Sequence, residues 1–276
     1  MIYYKHNFPK RRTHMSFEVI DFHTHPFTND TNNICSYIDY CGMSVESTRE
    51  LFCTLGISRI CGSVIINGKD RPTDMSNIDI MRMNNDIALS LRETYGDFYI
   101  PGVHIHPDSV KESCDELERM NKAGVKLIGE LVPYFDKWER YATKEIDEIM
   151  DVARMFGMVV SIHPMDEDDA DEFVRRHPDL TIVGAHPNEY GGYERQLARM
   201  RENKNYMLDT SGYGIFRHGL LRRGVAEFGA ERFLFGSDYP TCNPAMYLGG
   251  VKDDPLLTDS EKELILAGNA KRILGL

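Results

Sequence analysis

Short apolar runs alternate with longer amphipathic stretches along the whole chain. Apolar runs bounded by turn residues are typical of strands buried in a parallel sheet. Amphipathic stretches with apolar residues near helical spacing, such as Ile78, Met81, Ile87 and Leu91, are typical of helices packed on such a sheet. The pattern predicts eight strands, within residues 19–25, 59–66, 98–105, 125–131, 158–162, 180–185, 206–210 and 232–235.

The stretches between the strands predict helices at 44–55, 75–95, 109–123, 143–156, 166–176, 193–201, 220–228 and 259–274. Regular alternation of strands and helices indicates a parallel sheet with right-handed crossovers. Eight such units in 276 residues favour an α/β fold in a single domain, a closed (β/α)8 TIM barrel. The alternative, a doubly wound sheet, typically carries Gly-x-Gly-x-x-Gly after an early strand, and none follows the first strand here.

Composition narrows the class of protein. The net charge of −11 argues against nucleic-acid binding, which needs a basic surface to displace counterions. No apolar run is long enough for a membrane span and no secretory signal opens the chain, so cytoplasmic residence is expected. The six cysteines include no Cys-x-x-Cys pair, which favours reduced thiols over a zinc–thiolate site. Because Met15 lies just before the first strand, residues 1–14 are expected to form a flexible extension to a domain spanning 15–276.

Histidine and aspartate residues follow several of the predicted strands. His23 and His25 come at the end of the first strand, where alternate side chains share a face. His163, His186 and Asp238 directly follow strands five, six and eight. Because the carboxyl ends of barrel strands meet around one opening, these five side chains are expected to converge on a metal site. Imidazole and carboxylate ligands without cysteine suit Zn, Mn, Fe or Ni, with zinc as the default.

The fourth strand offers two further candidates, Lys126 and Glu130, which regular alternation places on one face. Glu130 matches the depth of His163 and His186 relative to the start of each strand. Lys126 comes four residues earlier, about 13 Å deeper at the usual strand rise. Glu130 is therefore the predicted ligand, and Lys126 is predicted to lie in the barrel interior or at its floor.

Three phrases of the sequence carry a family resemblance: Val-Ile-Asp-Phe-His-Thr-His, Phe-Leu-Phe-Gly-Ser-Asp-Tyr-Pro and Ala-Gly-Asn-Ala-Lys-Arg-Ile-Leu. Together with the order of the candidate ligands, they resemble the amidohydrolase superfamily, in particular its amidohydrolase-2 branch with relatives of aminocarboxymuconate-semialdehyde decarboxylase. The likeness spans residues 19–276 and implies a metal-dependent barrel. It also implies that His23, His25 and Asp238 hold one divalent metal, that His163 and His186 lie near or on it, and that a bridging Glu130 would allow a second ion.

The resemblance and the ligand chemistry together predict a hydrolase that uses a metal-activated water to cleave an amide, ester or lactone of a small molecule. Asp238 would accept the proton of that water and return it to the leaving group, while His186 or His163 would stabilise the oxyanion. The alternative is a metal-dependent decarboxylase, a lyase acting on a small unsaturated carboxylic acid with the same ligands. A third reading is a metal-binding barrel without catalytic activity.

Other residues near the strand ends are candidates for substrate contact. His104 and His106 form a second His-x-His pair after the third strand, with His106 expected nearer the opening. Tyr134 follows Glu130 in an aromatic loop, and Arg217 follows the seventh strand as a cation for an acidic substrate. The expected partner is a small molecule. Acidic barrels are often homo-oligomers, but no stripe in the sequence marks an interface.

Overall fold

The protein was analysed as a computed structural model that describes residues 16–28, 44–66 and 71–276. Eight parallel strands form one strongly curled sheet, in which the order of the strands follows the chain. The predicted extension, residues 1–14, lies outside the described residues. The strands are β1 (Ile20–Asp21), β2 (Arg59–Ser63), β3 (Tyr99–Val103), β4 (Leu127–Leu131), β5 (Val159–Ile162), β6 (Ile182–Gly184), β7 (Tyr206–Asp209) and β8 (Phe233–Leu234).

The two edges of this sheet come together beyond the last residues of β1 and β8. The backbone N–H of Phe22 donates to the carbonyl of Phe235 at 2.8 Å, and that of His25 donates to the carbonyl of Tyr239 at 2.7 Å. Between these bonds, Thr24 and Tyr239 form a parallel bridge. The segments that carry His23, His25 and Asp238 are therefore neighbours, although they lie at opposite ends of the chain.

Helices follow the strands as the hydrophobic pattern predicts, with two additions and one interruption. The short helix α4 and the helix α9 occupy segments for which no helix was predicted, and a π-helical turn (Leu264–Gly268) interrupts the predicted closing helix. The helices are α1 (Val45–Leu55), α2 (Asn77–Tyr95), α3 (Val110–Lys122), α4 (Pro133–Asp136), α5 (Lys144–Met155), α6 (Glu167–Arg176), α7 (Gly191–Glu202), α8 (Leu220–Phe228), α9 (Pro244–Lys252), α10 (Asp259–Glu263) and α11 (Asn269–Leu274).

Local capping explains where several helices begin. The Ser44 side chain accepts the N–H of Ser47 in a capping box at the start of α1, and Thr143 accepts the N–H of Ile146 at the start of α5. Asp166 accepts two backbone N–H groups ahead of the acidic first turn of α6. Each cap satisfies donors that a helix N-terminus leaves free, which contributes about 1 kcal/mol.

Two apolar clusters lie on the two sides of the sheet. The smaller cluster takes buried residues from seven of the eight strands, among them Ile20, Leu127 and Leu234, and Ile100 of the remaining strand, β3, packs against it. Side chains from all eight strands can meet only on the concave side, so this cluster fills the interior of the curled sheet. The larger cluster packs the helices on the outside. Polar side chains at the strands' carboxyl ends therefore lie above an apolar layer. In the described part of the chain, no helix has the length and apolarity needed to cross a membrane.

Candidate metal centre

His23 and His25 are held just past the end of β1 with the same ring atom facing the centre of the opening. The Nδ1 atom of His23 lies 2.7 Å from Asp209 Oδ2, and Nδ1 of His25 lies 3.1 Å from the carbonyl oxygen of Ser63. Because both partners accept hydrogen bonds, Nδ1 of each ring carries a proton. This arrangement leaves Nε2 of both rings for a metal, as outer hydrogen bonds commonly do for metal-binding histidines.

Glu130 occupies the middle of the cluster. Its Oε2 lies 3.1 Å from Nε2 of His23 and 3.2 Å from Nε2 of His25, and its Oε1 lies 3.1 Å from Nδ1 of His163. The pairing of β4 with β5 shifts register between Ile128 and Leu131, which carries Glu130 to this position.

Lys126 does not lie in the barrel interior. Its Nζ donates to Asn121 Oδ1 and to the Phe156 carbonyl at the ends of α3 and α5, on the helix side of the sheet. Regular alternation would place Lys126 and Glu130 on one face of β4, but the register shift after Ile128 breaks that alternation.

Asp238 and His186 complete the cluster, and both have a backbone conformation that residues other than glycine seldom adopt. His186 has φ 64° and Asp238 has φ 61°, both in the left-handed region, where a residue other than glycine costs about 1–2 kcal/mol. Oδ1 of Asp238 lies 3.7 Å from Nε2 of His23 and 3.8 Å from Nε2 of His25. Gly212 makes room for His186, because a Cβ atom there would lie 2.1 Å from the ring.

The donor atoms are spaced as ligands of a divalent ion. Two sets have all their donor atoms within 4.8 Å of one another, namely His23, His25 and Asp238, and His23, Glu130 and His186. Ligand atoms with bonds of about 2.0–2.2 Å to one ion lie roughly 3.0–3.6 Å apart. An Nε2 lone pair facing a carboxylate also needs a cation or a proton between the two acceptors. Five of the six predicted ligands therefore have donor atoms spaced to fit a metal, and the sixth, His163, lies beside Glu130 and outside both sets.

Burial and charge set the protonation of the metal-free cluster. Burial alone would lower the pKa of His23, but the carboxylates of Glu130 and Asp209 outweigh it and hold that pKa well above its ordinary value. Burial would raise the pKa of Glu130, yet His23 and His163 hold it well below its usual range. For His186, burial dominates and lowers the pKa. In the metal-free cluster, protonated His23 therefore offsets carboxylate charge that a bound cation would otherwise balance.

The cluster forms the floor of a cavity of about 620 Å³, a size typical of small-molecule sites. Tyr134 and Phe135 of α4 form one wall, and Phe216 and Met246 also line the cavity. The substrate contact predicted for Tyr134 stays a prediction. Arg217 does not line this cavity. It is exposed, and its Nη2 lies 2.8 Å from Oε2 of Glu189, so the structure does not support its predicted contact with substrate.

His104 and His106 also lie outside the cavity lining, despite their position after β3. Nδ1 of His104 lies 3.0 Å from Asp136 Oδ2, and its Nε2 lies 2.7 Å from the carbonyl oxygen of Val64. Nε2 of His106 donates to the carbonyl oxygen of Asp136 at 3.0 Å. Both rings are about 1% exposed. Their ring nitrogens are engaged by protein groups, so neither is placed to contact a substrate as the sequence predicted.

Sequence reasoning missed three polar residues that position the ligands. Asp209, at the end of β7, binds the outer nitrogen of His23, and Ser211 lies within 3.0 Å of Nδ1 of both His23 and His186. Asp21 accepts the backbone N–H groups of His23 and Ser237, and burial raises its pKa to about 7. A signal for Asp209 was available, because an aspartate at the end of the seventh predicted strand matches the ligand positions on its neighbours.

Residues 20–276 match the amidohydrolase family. The chain therefore belongs to this family, in its amidohydrolase-2 branch. A search of curated proteins found no match.

Solved structures with the same fold include decarboxylases. The 2,6-dihydroxybenzoate decarboxylase from Rhizobium is 16% identical with a TM-score of 0.71, covering 94% of this chain and 99% of that chain. A 5-carboxyvanillate decarboxylase from Novosphingobium aromaticivorans, with bound manganese and 3-methoxy-4-hydroxy-5-nitrobenzoic acid, is 13% identical with a TM-score of 0.72 (94% and 97% covered). An uncharacterised TIM-barrel protein from Bordetella bronchiseptica is 21% identical with a TM-score of 0.72 (94% and 98% covered). At these identities the likeness shows the fold.

Proposed function

We propose that the protein is a metal-dependent decarboxylase of a small hydroxylated aromatic carboxylic acid. The observation that carries the proposal is a cluster of four imidazoles and two carboxylates at the floor of a cavity with aromatic walls. The decarboxylases among the solved structures favour this function over hydrolysis of an amide, ester or lactone. Residues 15–276 would form the catalytic domain, as a closed (β/α)8 barrel.

The metal would be held by His23, His25, Asp238 and Glu130, with His186 and His163 on the open side. One or two divalent ions are consistent with the two overlapping sets of donor atoms. The manganese in the 5-carboxyvanillate decarboxylase makes manganese a candidate beside zinc. When bound, the metal supplies positive charge that attracts an anionic substrate and opposes the negative charge of the buried carboxylates.

Asp238 would act as the proton donor. Its side chain is 11% exposed and lines the cavity, so its carboxyl group reaches both a substrate and solvent. A proton from Asp238 adds to the ring carbon that bears the carboxylate. The electron pair of the carbon–carboxylate bond then restores the aromatic ring as neutral carbon dioxide leaves. Asp238 regains its proton from water.

The walls would orient the ring for this step. Tyr134 and Phe135 of α4 flank the floor, and aromatic side chains pack against a planar ring with defined geometry. His163 is the more exposed of the open-side histidines, with 26% of its side chain accessible. It is therefore positioned to contact a hydroxyl or carboxylate oxygen of the substrate.

The test compares substrate classes on protein loaded with manganese or zinc. Carbon dioxide release from 2,6-dihydroxybenzoate or a related hydroxybenzoate is expected, and Asp238→Asn should reduce it by about a hundred- to ten-thousand-fold. Asp253→Asn, at an exposed helix end, is the matched control and should keep full activity. Turnover of lactones or amides with incorporation of oxygen from water, and no carbon dioxide, would contradict the proposal and favour the hydrolase.

A further inference from the structure

Among the residues that the structure describes, the cavity lining contains no lysine or arginine. The polar groups above the floor are neutral, including Asn188, Thr241 and the hydroxyl groups of Tyr134 and Tyr213. The carboxylates and imidazoles in the lining are those of the metal cluster, namely Glu130, Asp238, His25, His163 and His186. An anionic group on the outer part of a bound ligand would therefore meet no lysine or arginine and no cation outside that cluster.

Arg217, which follows the lining residue Phe216 in sequence, is already engaged. Arg217 pairs with Glu189, and its guanidinium group lies 5.4 Å from the ring centroids of both Tyr190 and Phe216. A guanidinium group stacked between two rings and paired with a carboxylate gains from all three contacts. Moving Arg217 into the cavity would forfeit these contacts, so it is not a ready partner for a ligand.

Two segments that follow β1 and β2 in sequence, residues 29–43 and 67–70, lie outside the described residues. By sequence, residues 29–43 contain neither lysine nor arginine, whereas residues 67–70 include Lys69. The variant Lys69→Ala therefore tests whether this residue supplies a cation to the cavity.

We propose that the cavity selects aromatic acids whose only carboxylate is the one that is lost, and discriminates against acids with a second carboxylate on the ring. The inference rests on the proposed decarboxylase function. The departing carboxylate faces the metal cluster. A second carboxylate would leave water for aromatic walls and neutral groups without gaining an ion pair, and such unpaired burial is costly.

The experiment uses non-reacting nitro analogues, in which a nitro group replaces the departing carboxylate. The matched pair is 4-hydroxy-3-methoxy-5-nitrobenzoic acid and 2-methoxy-6-nitrophenol, which differ only in the second carboxylate. A third probe, 2-nitroresorcinol, mimics a dihydroxybenzoate. Dissociation constants are measured on manganese-loaded protein by calorimetry, at a pH that ionises both phenols of the matched pair. The nitrophenol is expected to bind at least about tenfold more tightly than its carboxylated partner, a difference of about 1.4 kcal/mol.

The outcomes separate the two proposals. If the carboxylated probe binds as tightly as the nitrophenol or more so, the selectivity is wrong while the decarboxylase proposal stands. If none of the three probes binds to metal-loaded protein, the decarboxylase proposal fails and the selectivity fails with it. If Lys69→Ala weakens only the carboxylated probe, Lys69 supplies the missing cation, and the inference is also overturned.

A gain of affinity provides a second, independent measurement. Met246 lines the cavity near the start of α9 and is 54% exposed, so an arginine there is tolerated by the fold. Met246→Arg should tighten binding of the carboxylated probe by about fivefold or more and leave 2-methoxy-6-nitrophenol nearly unchanged. Met155→Arg, at an exposed helix end away from the cavity, is the control and should change neither. Equal changes for both probes in Met246→Arg would count against the inference.

Discussion

The chain carries two His-x-His pairs at strand ends, and they serve different purposes. His23 and His25 follow β1, and each ring engages an acceptor through Nδ1 while Nε2 faces Glu130. His104 and His106 follow β3 at the same spacing, yet both nitrogens of each ring contact protein groups. The spacing of two histidines is therefore not enough to identify metal ligands.

What separates the pairs is the group that Nε2 of each ring faces, which is two carboxylates in the first pair and one backbone carbonyl in the second. An Nε2 atom that faces two carboxylates can exchange its proton for a metal that those carboxylates also bind. His104 has acceptors on both nitrogens, Asp136 Oδ2 and the carbonyl of Val64, so both nitrogens must donate and the ring is an imidazolium. Among the described residues, neither histidine of the second pair belongs to a set of donor atoms spaced for a metal.

The second pair instead holds a wall of the cavity. Asp136 is the last residue of α4, the short helix that carries Tyr134. His104 pairs with the carboxylate of Asp136, and His106 donates to its backbone carbonyl. Both histidines thus fix the end of a four-residue helix that is too short to be stable alone. The first pair is predicted to bind the metal, and the second to support the wall above it.

The largest effect that tests this comparison is the loss of metal. His23→Ala should remove the bound ion and lower turnover by about a thousandfold or more, because it removes the donor shared by both ligand sets. Elemental analysis of protein purified without chelator measures the metal, and activity is assayed on the same samples. His104→Ala is the matched control and should keep a metal content close to that of the wild type. Equal loss in both variants would erase the distinction between the pairs.

The next effect is on stability. His104→Gln should lower the free energy of unfolding by about 3 kcal/mol, because it leaves the buried carboxylate of Asp136 without its cation. Denaturant unfolding of the metal-free protein measures this loss. A double-mutant cycle with Asp136→Asn should recover part of it, since the second change removes the unpaired charge. Strictly additive losses would show that the pair contributes no coupling.

A smaller effect is expected from the residue that orients His23. Asp209→Asn keeps the size of the side chain but removes the charge opposite Nδ1, and should weaken metal binding by about ten- to a hundredfold. Titration with a competing chelator measures the affinity. Asp253→Asn should leave the affinity unchanged. An Asp209→Asn protein with wild-type affinity would mean that the hydrogen bond from His23 has no influence on the metal.

The sequence predicted most of the strand ends because the hydrophobic pattern repeats eight times. It placed His23, His25, His163, His186 and Asp238 in one cluster, since each follows an apolar run. It could not show that β4 shifts register after Ile128, because that shift depends on pairing with β5.

The difference between the two histidine pairs could not be predicted from the sequence either. It is decided by the carbonyl of Val64 and the carboxylate of Asp136, which come from other parts of the chain. The same holds for Arg217, whose partner Glu189 lies 28 residues away in sequence. The sequence did not predict helix α9 because its amphipathic pattern is weak. Its buried residues Tyr247, Leu248 and Val251 follow a proline and are interrupted by two glycines, and both residue types have low helix propensity.

The smallest effect is the pH dependence of the second pair. Burial alone would lower the pKa of His104, but Asp136 outweighs it and raises that pKa above the ordinary value of 6.5. For a base with a raised pKa in the folded state, the stabilisation is fully present below pH 6.5 and is lost as the pH rises through the folded-state pKa. The stability difference between wild type and His104→Gln should therefore be largest near pH 6 and shrink at alkaline pH. Unfolding curves of both metal-free proteins across this range test the sign. A difference that grows with pH would mean that His104 is neutral in the folded protein and does not pair as a cation with Asp136.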